Sequence, residues 1–139
     1  MRPVEVFLSH SSQDRAMAAR LAEVLTTHGV PVFFTPTDLI GAQQWQDEIL
    51  KALQRCDWFM VLLSPDAVES MWVRRETAFA LHEKRYDGHI IPLQYRTCDL
   101  GPLAWLELFQ MIDFRGDFAE SCRELLRIWG VGFRAESVK

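Results

Sequence analysis

The sequence predicts an α/β protein: a three-layer domain in which about five parallel strands lie between helices on both faces. Short runs rich in β-branched and aromatic residues alternate along the chain with segments of helical periodicity, which is typical of successive strand–helix–strand units. The run Trp58–Leu63 is apolar throughout, as expected for a strand that is covered on both faces of a parallel sheet. The length of 139 residues suits one domain with its own core.

The elements follow from hydrophobic period and from turn residues. Strands are predicted at Val4–Leu8, Val30–Phe34, Trp58–Leu63, His89–Leu93 and Phe109–Phe114. Helices are predicted at Arg15–His28, at Trp45–Arg55, from beyond Asp66 to Tyr86, around Leu103–Leu108 and at Asp117–Trp129. Because crossovers between parallel strands are right-handed, the predicted topology is flavodoxin-like.

Composition limits the function classes. The net charge of −4 gives no general attraction to nucleic acid or to an anionic membrane. No apolar run approaches the roughly 18 residues of a membrane span. The three unclustered cysteines favour a reducing, cytoplasmic setting. Neither these cysteines nor the four histidines have the spacing of metal ligands, so no metal site is predicted. Residues 1–130 are predicted to form the domain, and residues 131–139 a tail or a linker to a domain outside this sequence.

A tryptophan and a glutamate form the candidate functional pair. Trp72 and Glu76 stand four positions apart at the start of a helix that follows the buried strand Trp58–Leu63. Such residues lie on one helix face, about 6 Å apart along the axis. In open α/β sheets, ligands bind beyond the carboxyl ends of the strands. An indole that can stack a base, beside an acid that can stabilise positive charge, suits a nucleotide-like substrate.

Three stretches of the sequence carry a family resemblance. They are VFLSHSSQDR, the strand PVFF with its following D-L-I-G loop and WQDEILKAL, and CDWFMVLLSPDAVESMWVRRE. Together they resemble the Toll/interleukin-receptor (TIR) domain, from about Val4 to Trp129. The most specific part is the strand followed by S-P, a spacer, W and E. In this family some members cleave NAD at the nicotinamide–ribose bond, while others only assemble. The resemblance implies an NAD-cleaving, prokaryotic member.

The resemblance assigns roles to individual residues. Glu76 falls at the catalytic glutamate position, and NAD+ is the implied substrate, with no further cofactor. The implied substrate-binding residues are Ser9, His10, Phe34, Trp45 and Trp72. The segment Thr35–Gln44 corresponds to a loop that mediates assembly and gates the site, in which the implied assembly residues are Thr35, Pro36, Asp38, Leu39, Ile40 and Gly41. The implied partners are other TIR domains and a sensor or effector domain, in innate immune or antiviral signalling.

The chemistry of the bond agrees with a single carboxylate. Cleavage of the nicotinamide–ribose bond builds positive charge on the ribose, as in other glycoside cleavages. The leaving pyridinium departs as a neutral base, so that no general acid is required. Glu76 can offset the developing cation or trap it, and the sequence leaves both roles open. Linear and cyclic ADP-ribose are both possible products.

Competing interpretations remain for the same residues. A helix glutamate is most often a solvated surface residue, and Trp72 and Trp45 can serve packing alone. A non-catalytic TIR scaffold that mediates homotypic contacts is the main alternative function. A nucleoside transferase, which also uses a carboxylate at the ribose, is a third and is less consistent with the S-P, W and E run.

Overall fold

The computed structural model describes residues 2–34 and 42–135, leaving aside the side chains of residues 42–45. Its centre is one five-stranded parallel sheet in the order β2-β1-β3-β4-β5, which confirms the predicted flavodoxin-like α/β fold. The strands are β1 (Val6–Ser9), β2 (Val32–Phe34), β3 (Trp58–Leu63), β4 (Ile90–Gln94) and β5 (Ile112–Asp113).

Helices cover both faces of this sheet. They are α1 (Arg15–Thr27), α2 (Ala42–Arg55), α3 (Pro65–Glu69), α4 (Met71–His82) and α5 (Phe118–Ile128). Three short 3-10 segments join them, at Ser12–Asp14, Lys84–Tyr86 and Gly101–Leu108.

Two hydrophobic cores lie on opposite faces of the sheet. On the first face, Leu8 of β1 and Met60 of β3 pack with residues of α1 and α5. On the second face, Phe7 and Phe59 pack with residues of α2, α3 and α4. Since alternate residues of a strand point to opposite faces, β1 and β3 contribute to both cores. The continuous apolar pattern of Trp58–Leu63 is therefore explained by burial on both sides.

The predicted helix that runs to Tyr86 is divided in the structure. Ser70 adopts an extended backbone conformation (φ −78°, ψ 119°), which ends α3 and begins α4. Its hydroxyl accepts a hydrogen bond from the amide of Val73 at 3.3 Å, a helix N-cap. The chain leaves α4 at His82, and a 3-10 turn completes the segment to Tyr86.

Most other predicted elements differ by one or two residues at an end, and two differ by three or more. Helix α2 begins at Ala42, three residues before the predicted Trp45, because polar Gln43 and Gln44 supply no hydrophobic signal although they favour helix. The predicted strand Phe109–Phe114 is shorter in the structure, where only Ile112–Asp113 pair with β4 at the edge of the sheet.

Asp57, just before β3, holds the start of the chain. Its carboxylate accepts hydrogen bonds from the amides of Val4 at 2.9 Å and Glu5 at 3.0 Å. Because bonds to a charged acceptor contribute more than neutral ones, Asp57→Ala is expected to lower the free energy of unfolding by about 2 kcal/mol, measured by urea denaturation. Asp57→Asn, which keeps one acceptor, is the matched control and should lose less; equal losses would contradict this account.

The described part of the C-terminal segment packs on the domain. Val131 is buried, and the ring of Phe133 stacks on His28 with centroids 5.6 Å apart. The amide of Arg134 donates to Nε2 of His28 at 3.0 Å. The chain is thus anchored to the C-terminal end of α1 as far as residue 134, while the predicted boundary at residue 130 stays a prediction.

Candidate functional site

The candidate site lies at the carboxyl edge of β1 and β3, the two central neighbours in the sheet. After β1 the chain crosses to α1 on the first face, whereas after β3 it enters α3 and α4 on the second face. The strand order reverses at this point, where the diverging connections of an open α/β sheet generally leave a crevice. In open α/β sheets this switch point is the usual location for a ligand.

Local capping directs α4 toward this edge. Ser64 follows β3 directly, and its hydroxyl accepts a hydrogen bond from the amide of Ala67 at 3.1 Å. Pro65 occupies the first turn of α3, where its missing N–H costs nothing. The break at Ser70 then starts α4, which brings the side chain of Glu76 back against β1.

Glu76 is the central ionisable group of this site. Only 3% of its surface is exposed, and its Oε1 accepts a hydrogen bond of 2.6 Å from the hydroxyl of Ser9, the last residue of β1. Burial raises the pKa of Glu76 to about 7, and the bond from Ser9 opposes part of that rise. A buried glutamate whose pKa is raised toward neutral, at the carboxyl edge of a parallel sheet, is typical of a functional carboxylate.

Trp72 lies one helical turn before Glu76 on α4. Its surface is 36% exposed to solvent, and the guanidinium of Arg75 lies 5.7 Å from its ring centroid. The acid is therefore buried against the sheet, while the indole at the same helix face remains available at the surface. This arrangement differs from the equal projection of both side chains that the sequence suggests.

His10 and Phe34 also come together. His10 is buried, and its Nδ1 lies 2.7 Å from the carbonyl oxygen of Ser11. Its ring centroid is 6.0 Å from that of Phe34, which ends β2 and is half-buried. Thus Ser9 and His10 at the end of β1 contact Glu76 and Phe34 respectively.

A buried carboxylate that the sequence analysis did not single out ties the two central strands together. Asp14 is buried, and its Oδ2 accepts hydrogen bonds from the hydroxyls of Ser11, at 3.0 Å, and Ser64. It thereby connects the turn after β1 to the turn after β3. The recurrence of serine after each strand, with an aspartate three residues after Ser11, is the sequence signal that could have indicated it.

Several residues of the predicted site fall outside the part that the structure describes. The side chain of Trp45 is one. The predicted assembly residues are the others: Thr35, Pro36, Asp38, Leu39, Ile40 and Gly41. Their roles stay predictions.

A groove of about 460 Å³ lies on another side of α4, between that helix and the 3-10 segment Gly101–Leu108. Leu81 and Leu106 line it, and the largely exposed Trp105 stands at its edge. Glu76 and Trp72 do not line this groove, so it is separate from the candidate site.

Within residues 2–34 and 42–135, no group of three or more histidine, cysteine or carboxylate side chains is placed to hold a metal ion. In the same part of the chain, no helix is long and apolar enough to cross a membrane. Among the described residues, the site combines the Glu76 carboxylate, the Ser9 hydroxyl bonded to it, and the Trp72 indole one helical turn away.

The family model that describes the TIR domain matches residues 6–126. The chain belongs to the TIR domain family. The matched range contains all of the described site residues, from Ser9 to Glu76. A search of curated proteins finds no match.

Solved structures of TIR domains and of a SEFIR domain share the fold. The TIR domain of the Toll-related receptor TRR-2 from Hydra magnipapillata is 21% identical with a TM-score of 0.72, over 88% of this chain and 95% of that one. The TIR domains of the activated Roq1 resistosome, which recognises the pathogen effector XopQ, are 16% identical with a TM-score of 0.70, over 90% and 98%. A prokaryotic SEFIR domain is 18% identical with a TM-score of 0.64, over 89% and 90%.

Proposed function

We propose that this TIR domain is an NAD+ nucleosidase that cleaves the nicotinamide–ribose bond. Its products are nicotinamide and ADP-ribose or a cyclic ADP-ribose. The observation that carries the proposal is the buried carboxylate of Glu76, bonded to Ser9 at 2.6 Å and placed one helical turn from the accessible indole of Trp72. A solvated helix glutamate, the competing interpretation of the sequence, would not be 3% exposed.

The proposed mechanism uses Glu76 in its ionised form. The ribose develops positive charge as the bond to nicotinamide lengthens, and a carboxylate in a poorly solvated site stabilises that charge strongly. Burial raises the pKa of Glu76 to about 7, and the positively charged nicotinamide ring of bound NAD+ is expected to favour the ionised carboxylate. The electron pair of the breaking bond leaves with nicotinamide, which becomes neutral and needs no proton. The ribose carbon then bonds to the oxygen of water, which loses a proton to solvent, in linear ADP-ribose, or to a nucleophilic atom of the ADP-ribosyl group itself in the cyclic product.

Assembly is the proposed switch. The Roq1 structure, an activated resistosome, contains TIR domains with the same fold. We infer that self-association of this domain completes or opens the crevice at Glu76, as part of immune or defence signalling in the cytoplasm. The three cysteines are free thiols in the structure, which is consistent with a reducing compartment.

The direct test is product analysis. Protein at high concentration or in a crowding agent is incubated with NAD+, and the products are identified by mass spectrometry. Nicotinamide together with linear or cyclic ADP-ribose supports the proposal, whereas intact NAD+ in every assembled state contradicts it. Dilute protein serves as the comparison for the effect of assembly.

A non-catalytic scaffold is the second candidate, and exposed apolar side chains favour it. Trp105 and Leu108 on the 3-10 segment Gly101–Leu108 are 67% and 77% exposed. Large apolar groups at a protein surface commonly mark interfaces. Self-association that persists in a Glu76→Ala variant, with no nicotinamide formed by either protein, would favour this alternative.

Trp72→Ala is expected to raise the KM for NAD+ about tenfold, since stacking on an aromatic ring contributes roughly 1–3 kcal/mol per base. Trp72→Phe should retain most of the affinity. The free energy of unfolding should change little, because the indole is partly exposed. Steady-state kinetics of the assembled protein give the KM, and Ile128→Ala on α5, at a side chain of similar exposure, is the surface control. An unchanged KM would remove Trp72 from the substrate site.

A further inference from the structure

The hydroxyl of Ser9 is placed to act on Glu76 and not on a substrate. Ser9 has no exposed surface, so nothing bound in the crevice can touch it without rearrangement of the chain. Its Oγ donates to Oε1 of Glu76 at 2.6 Å, a short bond as expected for a charged acceptor. Among the described residues, the other oxygen, Oε2, accepts no hydrogen bond, and it is therefore the oxygen left to meet a ligand.

The sheet fixes the position of this donor. Ser9 lies opposite Val61 in the pairing of β1 with β3, the two central strands. The turn that follows is tied to the end of β3 through Asp14, which accepts from Ser11 and Ser64. The Ser9 hydroxyl is thus fixed by the sheet, whereas Glu76 belongs to helix α4. A bond between the two therefore sets the direction of the carboxylate relative to the crevice.

We propose that Ser9 is the positioning residue for Glu76, and not a substrate contact as its sequence position implies. By holding Oε1, the hydroxyl fixes the carboxylate plane, directs Oε2 outward and stabilises the ionised form. The role of Ser9 in the reaction rests on the proposed function. The coupling between the two side chains does not, because it can be measured without a substrate.

The electrostatic surroundings make this coupling measurable. Burial and the Ser9 bond are the two causes that move the pKa of Glu76, and no charged side chain among the described residues contributes to the shift. The ionisable groups on the turn after β1 have other partners: the His10 ring lies against the Ser11 carbonyl, and Asp14 accepts from two serines. Removal of the Ser9 hydroxyl should therefore affect mainly Glu76.

The experiment follows the titration of the Glu76 side-chain carboxyl by ¹³C NMR in the full chain. Ser9→Ala is expected to raise the titration midpoint by about one pH unit, a tenfold change in the acid dissociation constant. Ser9→Cys, with a weaker donor of similar shape, should give a smaller rise. Ser121→Ala is the control, since that buried hydroxyl bonds the Asp113 carbonyl at 2.6 Å.

The activity arm separates this inference from the proposed function. In assembled protein, the acidic limb of the kcat/KM profile for NAD+ should move upward in Ser9→Ala by the same amount as the NMR midpoint. An unchanged midpoint in Ser9→Ala would overturn the positioning role, whatever the activity. A shifted midpoint in a protein that never cleaves NAD+ would uphold the coupling and reject the nucleosidase. A raised KM with an unshifted profile would identify Ser9 as a substrate contact instead.

Discussion

Glu76→Gln is expected to lower kcat for NAD+ cleavage by about 100-fold or more, with a smaller effect on KM. Glutamine keeps the shape of the side chain and can still accept the Ser9 hydrogen bond, but it has no charge to offset the cation on the ribose. Loss of one preorganised electrostatic group typically costs about 3 kcal/mol of transition-state stabilisation, which is about 100-fold in rate.

The matched control for this activity loss is Glu69→Gln. Glu69 ends α3, and 83% of its side chain is exposed, so its charge is screened by water. Nicotinamide release from assembled protein, measured by chromatography, should be unchanged in this variant. Equal release from wild-type and Glu76→Gln protein would exclude Glu76 from the mechanism and would leave the fold without its proposed acid.

The same substitution should stabilise the protein at neutral and alkaline pH. Burial raises the pKa of Glu76 in the folded state from 4.5 to about 7, so the folded chain holds this proton more tightly than the unfolded chain does. Unfolding therefore becomes easier as the pH rises from 4.5 to 7, and the loss is complete above pH 7. It amounts to about 3 kcal/mol at most.

Glutamine resembles the protonated carboxyl group and avoids this loss. Urea denaturation should show similar unfolding free energies for wild-type and Glu76→Gln protein at pH 4, and a higher value for the variant, by up to about 3 kcal/mol, at pH 8. Glu69→Gln should follow wild type at both values. Parallel pH dependence in wild type and Glu76→Gln would mean that the carboxylate is solvated in the folded state.

These opposite effects on activity and stability are expected of a functional group. A carboxylate that is useful to a cationic transition state must be poorly solvated, and poor solvation destabilises its ionised form in the folded protein. A buried glutamate without a role in cleavage would show the same gain in stability at alkaline pH but no loss of activity. The pair of measurements therefore separates function from packing at one residue.

Hydrophobic pattern was sufficient to predict the fold, because burial on both faces leaves a clear signal. Trp58–Leu63 has the predicted bounds of β3, and the strand order follows from right-handed crossovers. The division at Ser70 was not predicted, because apolar residues occur on both sides of it and a serine can also lie inside a continuous helix. The length of β5 was overestimated, because Phe109 is half-buried and Phe114 is buried although neither belongs to the two-residue strand.

The candidate site was predictable only in part. Glu76 could be singled out through its spacing from Trp72 and through the TIR resemblance. Its partner Ser9 lies 67 positions away, and their bond depends on the direction in which α4 approaches β1. Local pattern carries no information on such a long-range pairing. Asp14 was missed for the same reason, since its bond to Ser64 spans 50 positions.

The attachment of the C-terminal segment has a practical consequence for assembly experiments. Helix α1 runs back from the carboxyl edge of the sheet, so its final residue and the neighbouring His28 lie at the opposite, amino edge. Arg134 is bonded there, and the side chain of Arg2 reaches the carbonyl oxygen of His28 from the other terminus. Dimerising or filament-forming tags joined next to residue 2 or residue 134 would therefore start from the edge of the sheet opposite to the one at which Glu76 lies.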